Sequence, residues 1–128
     1  MPTTEKEIRR VIRAREQAIQ AGDFDGILAN HADDILMFDV PEPLQSRGLG
    51  EYKETWELFF RYGAPGKEVF VIDELAVTSA DSVGFATGLL RIGGSTRPVC
   101  RLTLGLQKVD GNWLIVHEHH SAPHKLGE

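Results

Sequence analysis

The apolar residues of this chain change their spacing once, near Gly66, and that change limits the folds open to it. Before Gly66 they recur at helical intervals; after it they alternate, as on half-buried strands. Thr4 and Glu7 read as a capping box, and behind them Ile8, Val11, Ile12, Ala18 and Ile19 form a helical stripe that Gly22 stops. Asp23 is placed to cap a short second helix through Phe24, Ile27, Leu28 and His31. Ile35-Leu36-Met37-Phe38 reads as a strand ended by Pro41 and Pro43. A third helix begins near Gly50, carries Leu49, Tyr52, Trp56, Phe59 and Phe60 on one stripe, and ends at Gly63-Ala64-Pro65-Gly66. Beyond it, 68–78, 83–92, 98–109 and 113–120 read as strands, with Asp110-Gly111 as a two-residue hairpin turn. Helices followed by strands predict an α+β domain with a mostly antiparallel sheet. At 128 residues, with no repeat or linker, one domain over 1–128 is expected.

Charge and cysteine usage narrow the function. There are 14 Lys and Arg against 19 Asp and Glu, a net charge of −5, which disfavours a nucleic-acid binder. Cys100 is the single cysteine, so no internal disulfide or cysteine-rich zinc site forms. No apolar run approaches the roughly 20 residues of a membrane span, and Met1 to Glu7 carry no signal-peptide core. A cytoplasmic protein with no membrane partner is expected.

The hairpin decides which side chains share a face. With Asp110-Gly111 as the turn and regular pairing behind it, Leu106 meets Ile115, Leu104 meets His117, Leu102 meets His119 and Cys100 meets Ser121. That register puts Leu102, Leu104, His117, His119 and Ser121 on the apolar face, and Arg101, Thr103, Glu118 and His120 on the opposite one. A one-residue slip would exchange the two faces. Two histidines and a serine in a row on a buried face cannot all satisfy one another, so a polar cavity, water or a ligand is the simpler explanation.

Two charged residues also stand out. Arg15 lies on the first helical stripe between Val11 and Ala18. Either its stem packs while its head reaches water, or it is a cation lining an internal cavity. Asp39 falls on the side of Ile35 and Met37. Either it caps the turn at Val40-Pro41, or it is a carboxylate at the mouth of an apolar cavity, where desolvation suits it to moving protons. On the third helix, Trp56 and Phe60 are core residues, cavity walls, or both at different depths. His117-x-His119 has no third ligand at a defined spacing, so no metal is expected. Ser121 lies in no nucleophile turn, and Cys100 on a leucine-rich face reads as an inert thiol.

Ala21-Gly22-Asp23-Phe24-Asp25-Gly26-Ile27, then Ala32-Asp33-Asp34, then Asp39 and Gly48, resembles the first half of ketosteroid isomerase and its SnoaL-like relatives in the nuclear transport factor 2-like superfamily. The segment from Asp110 to Ser121 is similar to the last strand of SnoaL-like domains and of the calmodulin-kinase association domain. The resemblance implies a cone: a curved, mostly antiparallel sheet wrapped around three N-terminal helices, with a deep pocket and dimerisation through the sheet. It places Asp39 at the isomerase's general base. The isomerase builds its oxyanion hole from a tyrosine and a protonated aspartate. Here the tyrosine position falls on Arg15, and the aspartate position near Gly105 with no acid close by, so the steroid reaction itself is not implied.

The function expected is a small-molecule pocket protein doing acid–base chemistry, of isomerase, dehydratase or cyclase type, on a hydrophobic carbonyl or hydroxyl compound. Asp39 would shuttle the proton with His119 and His117. Arg15, Trp56, Phe60, Leu102, Leu104 and Ser121 would hold the ligand, and no cofactor is called for. The alternative is a non-catalytic ligand-binding or dimerisation module of the same fold.

Overall fold

The computed structural model describes residues 3–127; Met1, Pro2 and Glu128 of the expected 1–128 domain lie outside the described residues. Helix α1 (Thr4–Ala21) is capped by Thr3, one residue before the expected cap, whose side chain accepts from the Lys6 N–H at 3.2 Å. It ends at Gly22, in the left-handed conformation with φ 69°, as the sequence predicts. Asp23 caps α2 (Phe24–Leu28) by accepting from the Gly26 N–H. His31, expected on that helix, instead opens β1 (His31–Phe38). A two-residue strand that the sequence does not announce, β2 (Ser46–Arg47), pairs with β1 and leads into α3 (Leu49–Tyr62). Then come β3 (Phe70–Ser79), β4 (Val83–Ile92), β5 (Cys100–Val109) and β6 (Asn112–Ser121).

The strands form one six-stranded sheet in the order β2-β1-β6-β5-β4-β3. It is curved, unclosed and antiparallel except for the parallel β1–β6 pair. The helices pack on its inner face, and Ile8, Ile12, Ile19, Ile35, Tyr52, Leu90, Leu104 and Ile115 are fully buried between them. Among the described residues, no helix is long and apolar enough to cross a membrane.

The β5–β6 hairpin turns as expected, with Asp110 at φ 50° and Gly111 at φ 82°, both positive as a type I′ turn requires. Pairing then runs in the expected register as far as Leu106–Ile115. The next pair is Gly105–His117, not Leu104–His117. Val116 is an extra residue on β6, a bulge. Gly105 lies opposite it, where a Cβ would come within 3.3 Å of the His117 Cβ, so a bare backbone eases the irregularity.

The bulge exchanges the faces of everything after it, because side chains alternate with a period of two. Glu118 and His120 point inward and are buried, while His119 is exposed and His117 half-buried on the outer wall. The expectation that His117, His119 and Ser121 face the cavity is therefore corrected.

Candidate functional site

The site grows from a buried arginine. Arg15 is 2% exposed on the inner stripe of α1, so its head does not reach water. A guanidinium this deep requires a counterion, and β6 supplies the fully buried Glu118. Arg15 Nη2 pairs with Glu118 Oε2, and Arg15 Nε–H donates to Tyr52 Oη at 3.2 Å. Tyr52 Oη in turn donates to Glu118 Oε1 at 2.7 Å. The guanidinium also lies 5.4 Å and 5.5 Å from the ring centroids of Trp56 and Phe70.

Glu118 is shared. Its Oε2 lies 2.6 Å from His120 Nε2, and His120 Nδ1–H donates to Asp39 Oδ1 at 3.2 Å. Asp39 Oδ1 also accepts from the Val40 N–H at 2.8 Å. Four groups of alternating charge thus run from Arg15 through Glu118 and His120 to Asp39, drawn from α1, β6 and the end of β1.

Burial and charge oppose each other along this chain. Desolvation alone would raise the Glu118 carboxyl, but Arg15 and His120 hold it well below the usual carboxylate range. Desolvation alone would lower His120, but Glu118 and Asp39 raise it to about 9. His120 is therefore an imidazolium at neutral pH. Burial drives the Tyr52 hydroxyl far up, keeping it a neutral donor. His31 stacks on Tyr52 with ring centroids 4.8 Å apart; burial, aided by Arg15, lowers it to about 4.

Asp39 and His120 line a cavity of about 510 Å³ between α3 and the sheet. Its walls are otherwise mostly apolar, among them Trp56, Phe59, Tyr62, Val69, Phe70 and Ile92, with Cys100 beside them. Asp39 follows the alternation predicted for its strand and stands at the mouth, its side chain 24% exposed. Burial, then the nearby Asp39 carboxylate, raises the Cys100 thiol, so it is not a ready nucleophile.

Of the ligand-binding residues predicted from sequence, Trp56 lines the cavity. Phe60 does not: it turns toward α2 and packs edge-on to Phe24 at 5.8 Å, and Phe59 takes the wall position. Leu102 and Leu104 face inward as expected but lie in the core. Arg15 sits behind the aromatic wall, held by Glu118. Ser121 is on the outer face, accepting from Arg101 Nε–H at 3.1 Å. His117 donates from Nδ1 to the Leu36 carbonyl at 2.7 Å, and Phe38 packs edge-on to both outer histidine rings. Among the described residues, no group of three His, Cys, Asp or Glu side chains could hold a metal ion.

Sequence reasoning missed Glu118, His120 and the bridging role of Tyr52. The usable signal was Arg15: a buried cation demands an anion on the facing strand, and among the residues near the end of β6 that anion is Glu118.

The SnoaL-like domain model matches residues 8–125. The chain belongs to the SnoaL-like family. An NTF2-like protein of unknown function from Pseudomonas putida KT2440 is 33% identical to this SnoaL-like domain, the match covering 99% of this chain and 93% of that one with a TM-score of 0.84. Two more distant solved structures share the fold. One, described as a candidate ketosteroid isomerase from Parabacteroides distasonis ATCC 8503, is 17% identical with a TM-score of 0.75, over 97% of this chain and 91% of that one. The other, described as a candidate dehydratase of the NTF2-like family from Streptomyces avermitilis, is 16% identical with a TM-score of 0.77, over 98% and 100%. The chain matches no curated protein.

Proposed function

We propose that this SnoaL-like domain binds a small apolar carbonyl or hydroxyl compound and moves a proton on it. Asp39 is the group that exchanges the proton, and His120 is the charged partner that holds it in place. The observation that carries this reading is the 3.2 Å contact between the two side chains at the wall of a mostly apolar cavity. A carboxylate there can take a proton from a carbon next to a carbonyl, leaving an enolate, and return it elsewhere on the same molecule. Once Asp39 has taken the proton it is neutral, and the imidazolium it had balanced favours the negative charge left on the ligand. Glu118 is the positioning residue: it fixes the His120 ring and keeps it protonated. Arg15 acts through Glu118 and does not touch the ligand. The step needs no redox cofactor, and two solved structures of the same fold are described as a candidate ketosteroid isomerase and a candidate dehydratase.

The test is solvent-deuterium incorporation next to the carbonyl of 2-tetralone, followed by NMR. The wild type is expected to accelerate exchange, and Asp39→Asn to lose more than about a hundredfold of that acceleration. Equal exchange with both proteins would overturn the proposal.

One observation favours the alternative, a binding module without turnover: His120 Nε2 is ion-paired with Glu118, and His120 Nδ1 and one Asp39 oxygen are already hydrogen-bonded. Under that reading Asp39→Asn weakens ligand binding and there is no exchange to lose.

Self-association through the outer face of the sheet belongs to the same proposal. Phe85 and Val83 stand there 49% and 58% exposed, and Phe85 pairs across to Gly105. Light scattering of Phe85→Glu is expected to show loss of the dimer; a monomeric wild type would end this part.

A further inference from the structure

The residues around the cavity also bear on the charge of its ligand, given that the cavity is a ligand pocket as proposed above. Among the described residues, no Lys or Arg lines it; the ionisable side chains on its walls are Asp39, His120, Cys100 and Tyr62. The imidazolium of His120 is already matched by two carboxylates, Glu118 and Asp39. Arg15 lies behind Trp56 and Phe70 and is paired with Glu118. No cation is left to receive an anionic group.

The groove beside the cavity has the same bias. A groove of about 470 Å³ shares Asp39, Thr55 and Leu58 with the cavity. Glu42, Glu51, Glu54 and Glu57 line it, against Arg61 alone of the basic residues. Like charges gathered in a concave groove lower the local concentration of anions and raise that of cations.

We infer that the cavity takes an uncharged or amine-bearing apolar compound and rejects carboxylates, phosphates and sulfates. The ligand's apolar body lies against the aromatic wall, and any amine it carries points out toward the acidic groove. Anionic compounds lose on two counts, repulsion by the adjoining acidic groove and desolvation without a counterion inside.

Three probes of one ring system test this by calorimetry at pH 7 and low salt: 2-naphthalenemethanol, 2-naphthylmethylamine and 2-naphthoic acid. The alcohol and the amine are expected to bind, and the acid to bind at least about tenfold more weakly. The gap is expected to narrow in 0.5 M salt and in the double variant Glu54→Gln, Glu57→Gln. Binding of the acid as tightly as the alcohol, or a gap indifferent to both salt and the double variant, overturns the inference and leaves the pocket reading standing. Failure of all three probes overturns both.

Discussion

On the inner face of β6, Glu118 and His120 are buried in a chain of opposite charges that crosses the core from Arg15 to Asp39. On the outer face, one residue away along the same strand, His117 and His119 pack around Phe38, and His119 is open to solvent. Both faces carry histidines, and the consequences differ. An inner histidine is held charged by two carboxylates and faces a cavity; an outer one contributes a backbone hydrogen bond or almost nothing. Chemistry here is set by which face a side chain takes, and a single bulge at Val116 decides that.

The largest difference between the faces is expected in stability. Glu118→Gln leaves the Arg15 and His120 charges buried with their shared anion gone, a loss of about 3–5 kcal/mol. His119→Ala, on the outer face, stays within about 0.5 kcal/mol. Urea titration of both variants checks the contrast, and similar losses would dissolve it.

The next largest is in pH dependence. His120 titrates near 9, above its ordinary 6.5, so between those values the folded chain keeps a proton that the unfolded chain releases. Stability from His120 is complete below about 6.5 and is lost as pH rises through 9, on the order of 3 kcal/mol in all. His31 behaves oppositely. Held near 4, it refuses a proton that the unfolded chain takes up between 4 and 6.5, so stability falls with acidification across that window. Glu118, held low, contributes above its ordinary 4.5 and loses that contribution in acid. Stability is therefore expected to peak near pH 6.5 and fall on both sides. His120→Gln is expected to flatten the alkaline fall, as thermal unfolding from pH 5 to 10 would show.

The smallest effect separates the two outer histidines. His117→Ala removes the hydrogen bond to the Leu36 carbonyl, which costs about 1 kcal/mol. His119 has no such bond to lose. Denaturant midpoints of the two variants check the order.

Most of the architecture was legible in the sequence. The stripe on α1, its stop at Gly22, the Asp110-Gly111 turn and the inward side of Asp39 each follow from local rules that the fold obeys. The site was only half legible, because its inner residues lie beyond an irregularity. Strict alternation carried outward from the turn holds to Ile115 and fails at Val116, since nothing in a run of Val, His and Glu marks where an extra residue is inserted. Phe59 and Phe60 show the same difficulty on a helix: adjacent residues on one apolar stripe point about 100° apart, and only the packed neighbours decide which meets the cavity. β2 is two residues long and carries no periodic signal.

The most direct measurement is the protonation of His120 itself, by nitrogen-15 NMR of the imidazole side chains, with the signal assigned through His120→Gln. Both ring nitrogens are expected to remain protonated past pH 8, and the signal to move on Asp39→Asn and on binding of 2-naphthalenemethanol. A His120 that loses its proton below pH 7 and ignores both changes would place it outside the charged chain and away from the cavity.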